Sequence, residues 1–125
     1  MAIYHFFEAR RWALGRLDMM TLPTWKGRRR FKYEGSVKKQ GTQIWFGKKG
    51  YSVTVSNSQY TKLLDHFKGQ EVPVGTSRDR PQAGSLGEWL QGNVTRTAIA
   101  SYVAPILVRE GYARRVTDQT KVKFS

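Results

Sequence analysis

Apolar residues recur along this chain in two different periods, and the alternation between them divides the sequence into elements. Over residues 3–18, Ile3, Phe6, Phe7, Leu14 and Leu17 fall close to helical spacing, while Arg10, Arg11 and Arg16 tend toward the other side. This pattern predicts an amphipathic N-terminal helix, either laid on the core or serving as a basic interfacial helix for a membrane or a partner protein. Thr21-Leu22-Pro23-Thr24 is expected to break it, because Pro23 disfavours an α conformation at Leu22 and has no backbone donor.

The next stretch has period two. Phe31, Tyr33 and Val37 predict one strand, Ile44 to Phe46 a second, and Tyr51, Val53 and Val55 a third. Lys38-Lys39-Gln40-Gly41 and Gly47-Lys48-Lys49-Gly50 supply the glycines that short hairpin loops use for positive φ. The expectation is a three-stranded antiparallel meander with lysines at both tips.

Helical spacing returns at Ser56. Ser56 and Gln59 have the spacing of a capping box, and Val55 and Tyr60 that of a hydrophobic staple; Gly69 stands where a left-handed cap would end the helix. Tyr60, Leu63, Leu64 and Phe67 form its apolar face. Val72 to Val74 reads as a short extended segment that Pro73 restricts to an edge, and Thr76 to Gly84 as a polar loop. Ser85 and Glu88 repeat the capping-box spacing before a short helix, Leu86 to Gln91, ended by Gly92. Thr95 is the expected N-cap of a longer helix, Arg96 to Glu110, with Ile99, Val103, Ile106 and Leu107 inward. Pro105 should kink or break that helix near Ser101 to Ala104, since proline inside a helix costs about 3 kcal/mol. After Gly111, Tyr112 to Val116 and Lys121 to Phe124 predict a final hairpin.

Charge changes the picture more than composition does. Lys and Arg number 22 against 9 Asp and Glu, a net +13, and this surplus points to a polyanionic partner, because each neutralised phosphate releases condensed counterions. The most basic part runs from Trp25 to Tyr51, where Lys26, Arg28, Arg29, Arg30, Lys32, Lys38, Lys39, Lys48 and Lys49 face a single acid, Glu34. Aromatic residues are interleaved with these cations. Of them, Trp25, Tyr33 and Trp45 are candidate platforms for unpaired bases, although a sheet that buries one face can turn only about half of its aromatics outward. At 39% hydrophobic and 13% aromatic the chain has enough apolar side chains to fold, and without cysteine it must do so by packing alone. The arginines in the first twenty residues and the absence of an uncharged run near 18 residues argue for a soluble intracellular protein (cytoplasm or nucleoid) without a signal peptide or membrane span.

The run from residue 56 to 124 resembles a winged helix-turn-helix domain: helix, short strand, helix, helix, hairpin. The resemblance is carried by Ser85-Leu86-Gly87-Glu88-Trp89-Leu90, Val94-Thr95-Arg96-Thr97-Ala98-Ile99 and Leu107-Val108-Arg109-Glu110-Gly111-Tyr112. It covers about half the chain and implies that the second helix of the pair enters the major groove while the wing meets backbone. By position, Thr95, Arg96, Thr97, Ser101 and Tyr102 would then face DNA, with Arg114, Arg115, Lys121 and Lys123 on the wing. The winged-helix pattern also serves protein interaction.

The expected fold is therefore α+β: a winged helix over residues 56–125, preceded over residues 1–55 by an N-terminal helix and a basic meander packed as an extension. The expected function is non-enzymatic binding of nucleic acid, DNA ahead of RNA, with no cofactor and no metal. Alternatives are a single-strand DNA or RNA binder that stacks bases, a protein-interaction module in a nucleoprotein complex, and a small nuclease using Asp65, Glu71 or Asp79. His5 and His66 lie on different expected helices, and the acids are scattered without metal-binding spacing.

Overall fold

The computed structural model describes residues 19–125, so the expected helix over residues 3–18 lies outside the described residues. The first element is a strand where a helix break was expected. Met20–Pro23 forms β1 and pairs antiparallel with β2 (Arg30–Ser36), which pairs in turn with β3 (Gly41–Phe46) and that with β4 (Tyr51–Val55). The meander thus has four strands and not three. Pro23 is tolerated because it is the last residue of an edge strand, opposite Arg30, where a missing donor costs the ladder least.

Period two is faithful to this sheet. Phe31, Tyr33 and Ile44 are buried on its inner face, while Arg30 and Lys32 are exposed on the outer one. Gly41 has φ +78°, and a Cβ there would stand 2.4 Å from the Val55 carbonyl oxygen, so glycine is required by backbone angle and by the close passage of β4.

Helix α1 (Asn57–Phe67) begins with both halves of the expected capping box: the Gln59 N–H donates to Ser56 Oγ (3.1 Å), and the Ser56 N–H donates to Gln59 Oε1 (2.8 Å). Helix α2 (Leu86–Asn93) has half of one. The Glu88 N–H donates to Ser85 Oγ, but the Glu88 carboxylate accepts from Gly84, one residue earlier than the box requires. The helix also runs through Gly92 to Asn93, past its expected end at Gln91.

Helix α3 (Ala100–Arg109) starts four residues later than expected. Thr95 is not its cap. Its hydroxyl accepts from the Thr97 N–H inside the turn, a local bond that competes with helix formation, and Ile99 fills the cap position without a side-chain bond. At the other end, Gly111 at φ +88° closes the helix, with its N–H donating to Val108 and that of Tyr112 to Leu107, the paired bonds of a Schellman motif.

Pro105 lies inside α3, and the helix continues through it without a break. Proline removes the donor that would have satisfied the Ser101 carbonyl. The Trp25 N–H, delivered by the β1–β2 connection, donates to that carbonyl instead (2.9 Å). The residue that weakens the helix internally thereby opens a docking point for the sheet.

A second, three-stranded sheet has the order β5–β7–β6, from β5 (Glu71–Pro73), β6 (Ala113–Arg115) and β7 (Lys121–Phe124). One buried core is shared by the whole described chain: Phe31, Tyr33, Ile44 and Val55 from the first sheet, Tyr60, Leu63 and Phe67 from α1, and Leu90, Val103 and Ile106 from the helix pair. Within it, Thr42 and Tyr60 exchange a buried hydroxyl bond of 2.7 Å. Glu110, just past α3, ties helix to sheet by accepting from the Tyr33 hydroxyl (2.8 Å) and the Val37 N–H (2.9 Å). Among the described residues, no helix is long and apolar enough to cross a membrane.

Candidate functional site

Three segments distant in sequence converge at one end of the four-stranded sheet. The β1–β2 connection carries Lys26 and Arg28, the loop after β5 carries Arg80, and the β6–β7 hairpin carries Arg115. They line a groove of about 560 Å³ together with Trp25, Val74, Gly75 and Gln119; among the described residues that line it, four are cations and none is an acid.

The groove has a rigid wall because of Trp25. The residue is only 5% exposed, its indole Nε1 donates to the Gln119 carbonyl (2.6 Å), and the Arg115 guanidinium lies over its ring at 3.7 Å. Arg115 also donates to the Trp25 carbonyl (3.0 Å) and to Gln119 Oε1 (3.2 Å). The final hairpin is thereby latched to the first sheet. A stacked guanidinium keeps its charge while its geometry is fixed, so Arg115 contributes potential to the groove without being free to reach outward.

The opposite wall rests on a crossing of two backbones. The Gly87 N–H donates to the Val74 carbonyl, and a Cβ on Gly87 would stand 1.9 Å from the Gly75 carbonyl oxygen. Gly75 itself has φ +69° and would clash with Ser85 if it carried a side chain. Two glycines therefore let the loop pass tightly over the start of α2, and Thr76, Ser77 and Arg80 of its continuation line the groove.

The anticipated recognition surface is not free. Tyr102 is stacked on Phe46 at 4.6 Å between ring centroids and meets Phe31 edge-on at 5.2 Å, and the Ser101 carbonyl is bonded to Trp25. Burial pushes the Tyr102 hydroxyl pKa up, and the nearby charges of Arg29 and Arg78 offset part of that rise. The four-stranded sheet thus covers the face of α3 that the winged-helix resemblance would send into a groove of DNA. Thr95, Arg96 and Thr97 lie in the turn before α3, with Arg96 and Thr97 exposed.

Of the candidate stacking residues, Trp25 and Tyr33 are corrected. Trp25 is the latch, and Tyr33 is 2% exposed and bonded to Glu110, with burial and that carboxylate both raising its pKa. Trp45 differs. It is half-buried on the outer face, opposite Lys32 on one side and Ser52 on the other.

The expected cationic residues divide into groups. Lys26 and Arg28 enter the basic groove, whereas Arg30 and Lys32 line a second groove on the outer sheet face. Lys48 and Lys49, in the β3–β4 turn, stand at the same end of the sheet, because Trp45 pairs with Lys32 and Gly47 follows one residue beyond Phe46. Lys38 and Lys39 occupy the other end, about 20 Å away along a seven-residue strand. There Lys38 lies over the Tyr112 ring at 5.3 Å. On the hairpin, Lys123 donates to the Gly69 carbonyl (2.7 Å), and Arg114 is exposed beside it on the neighbouring strand. Lys121 is half-buried where β7 begins. The hairpin's acid, Asp118, is held below the usual carboxylate pKa by bonds from the Thr120 hydroxyl and N–H.

The polar loop from Thr76 to Gly84 reads from sequence as a connector whose Arg78 and Arg80 could reach phosphate, and of the two Arg80 lines the groove; the latching role of Gln119 was missed. Among the described residues, no group of three or more His, Asp or Glu side chains is placed to hold a metal ion. Comparison with family models, curated proteins and solved structures finds no match to this chain.

Proposed function

We propose that the protein binds nucleic acid, duplex DNA foremost, by clamping its phosphate backbone in the groove formed by Lys26, Arg28, Arg80 and Arg115. The observation that carries this reading is the convergence, among the described residues, of four cations and no acid from three separate segments around one groove, in a chain of net charge +13. Solvated surface lysines need no such convergence. The order of α1, β5, α2, α3 and the hairpin, with sheet order β5–β7–β6, supports a winged-helix reading of the second half.

The mode of docking differs from what that resemblance implies. With α3 covered by the first sheet, contact falls to the groove and to exposed Arg114 and Arg96, all of which suit phosphate better than a run of base edges. Binding of this kind is electrostatic and weakly sequence-dependent. Trp25 acts by position: it fixes the hairpin against the β1–β2 connection and so sets the groove's width.

The test is removal of the groove cations other than Arg115. A Lys26→Ala, Arg28→Ala, Arg80→Ala variant should lose about tenfold or more in affinity for duplex DNA at moderate salt, while far-UV circular dichroism stays unchanged. Undiminished affinity in the triple variant would reject the groove as the binding site.

A further inference from the structure

The outer face of the four-stranded sheet carries a second constellation that duplex clamping does not use. Thr21, Lys32, Trp45 and Ser52 form one row across the four strands, each paired with the next. Beside it, Arg30 pairs with Pro23. A groove of about 430 Å³ runs here, lined by Thr21, Arg30, Lys32, Trp45, Gly47 and Gly50 among others, with no acid among the described residues that line it. Lys48 and Lys49 sit between its two glycines.

Trp45 is the unusual member. Among the described residues, the half-buried apolar side chains packed against the core include Phe46, Val53 and Tyr102 but not Trp45, which lies on the opposite face of β3 from Ile44. A half-buried tryptophan on the outer face of the sheet, opposite Lys32 across the β2–β3 ladder and sharing a groove with Arg30, adds nothing to the described core. A sheet face needs no tryptophan to stay in water, and Lys32 alone would serve solubility there.

We propose that this groove holds an unpaired nucleobase stacked on the Trp45 indole, with the adjoining phosphates on Arg30, Lys32 and the Lys48-Lys49 turn. The occupant is single-stranded nucleic acid, and the proposal rests on the reading that the partner is a nucleic acid. Chemistry selects this occupant. An acidic peptide would satisfy the cations but leave the indole without a flat partner, whereas a base offers a π-face and its backbone carries the anions. Arg28 faces the duplex groove and Arg30 the stacking groove, only two residues apart. One basic run therefore borders both sites.

The experiment compares single strands of about 12 thymidines with duplexes of about 20 base pairs, read by anisotropy and by tryptophan quenching. Trp45→Ala should lower single-strand affinity by about 5- to 150-fold and abolish most of the quenching, while duplex affinity stays within about twofold. Trp45→Phe should retain most of the single-strand affinity, and Arg30→Ala with Lys32→Ala should flatten its salt dependence. Thermal unfolding of each variant guards against misfolding, and if the Ala variant does not fold, a Phe variant that keeps the wild-type quenching by single strands overturns the stacking site. Unchanged single-strand binding in Trp45→Ala, with duplex binding still sensitive to Arg28 and Arg80, would overturn the stacking site and leave the clamp standing. Failure of the wild type to bind either nucleic acid at low salt would overturn both.

Discussion

Replacing Trp25 by alanine separates an aromatic that organises the fold from one that waits for a ligand. The ring is 5% exposed, donates one hydrogen bond to Gln119 and supports the Arg115 guanidinium at 3.7 Å. Burying a side chain of this size, at about 25 cal/mol per Å² over about 150–200 Å², contributes about 4–5 kcal/mol, and the indole hydrogen bond about 1 kcal/mol more. Partial collapse of the site recovers some of this, so the expected loss for Trp25→Ala is about 3–5 kcal/mol. Arg115→Ala, acting near the surface, should cost about 1 kcal/mol. Because each residue is the other's partner, the double variant should be less destabilised than the sum by about 0.5–1 kcal/mol. Urea denaturation followed by circular dichroism gives all four free energies. A Trp25→Ala cost below about 1 kcal/mol, or additivity within about 0.3 kcal/mol, would refute the latch and return Trp25 to the pool of ligand-facing aromatics.

Three other outcomes follow from the same geometry. Glu110→Ala leaves the buried Tyr33 hydroxyl and the Val37 N–H without their acceptor and should cost about 2–4 kcal/mol in denaturant unfolding, with Glu110→Gln substantially milder. Gly87→Ala forces a Cβ against the Gly75 carbonyl oxygen at 1.9 Å; it should destabilise by about 1–3 kcal/mol or more and weaken duplex binding with it, both measurable on one preparation. The pKa values of Tyr33 and Tyr60 are raised chiefly by burial, so both stay neutral in the folded state after the unfolded chain begins to ionise. Stability should therefore be level below about pH 10 and fall above it, with Tyr60 contributing a slope of about 1.4 kcal/mol per pH unit that Tyr60→Phe removes. A pH-independent stability between pH 9 and 11 would contradict this, on the ordinary tyrosine pKa of about 10.

What could be read from the sequence was local. The Ser56 capping box, the Gly69 and Gly111 stops and the alternation in β2 to β4 all depend on residues within a few positions of one another. What escaped was set by partners far along the chain. Trp25 and Tyr33 look like exposed aromatics in a basic strand until Gln119 and Glu110, 94 and 77 residues away, take up their polar atoms. Pro23 resembled a helix breaker because an edge strand is defined by its neighbour, Arg30, and not by its own composition. Pro105 was expected to kink or break α3, and only the arrival of Trp25 at the Ser101 carbonyl shows how its missing donor is balanced. The candidate site follows the same rule. Its cations are plain in the sequence, but their division between two grooves is a property of the tertiary fold.

Phosphate clamping is tested most directly by the salt dependence of duplex binding, measured on the wild type and on the Lys26→Ala, Arg28→Ala, Arg80→Ala variant. Each phosphate neutralised should contribute about −0.9 to the slope of log K against log salt, so Lys26, Arg28, Arg80 and the exposed wing place the wild type at about −3 or steeper. The variant should be shallower by about 2 to 3. A wild-type slope near zero, or one that the three substitutions leave unchanged, would contradict the clamp.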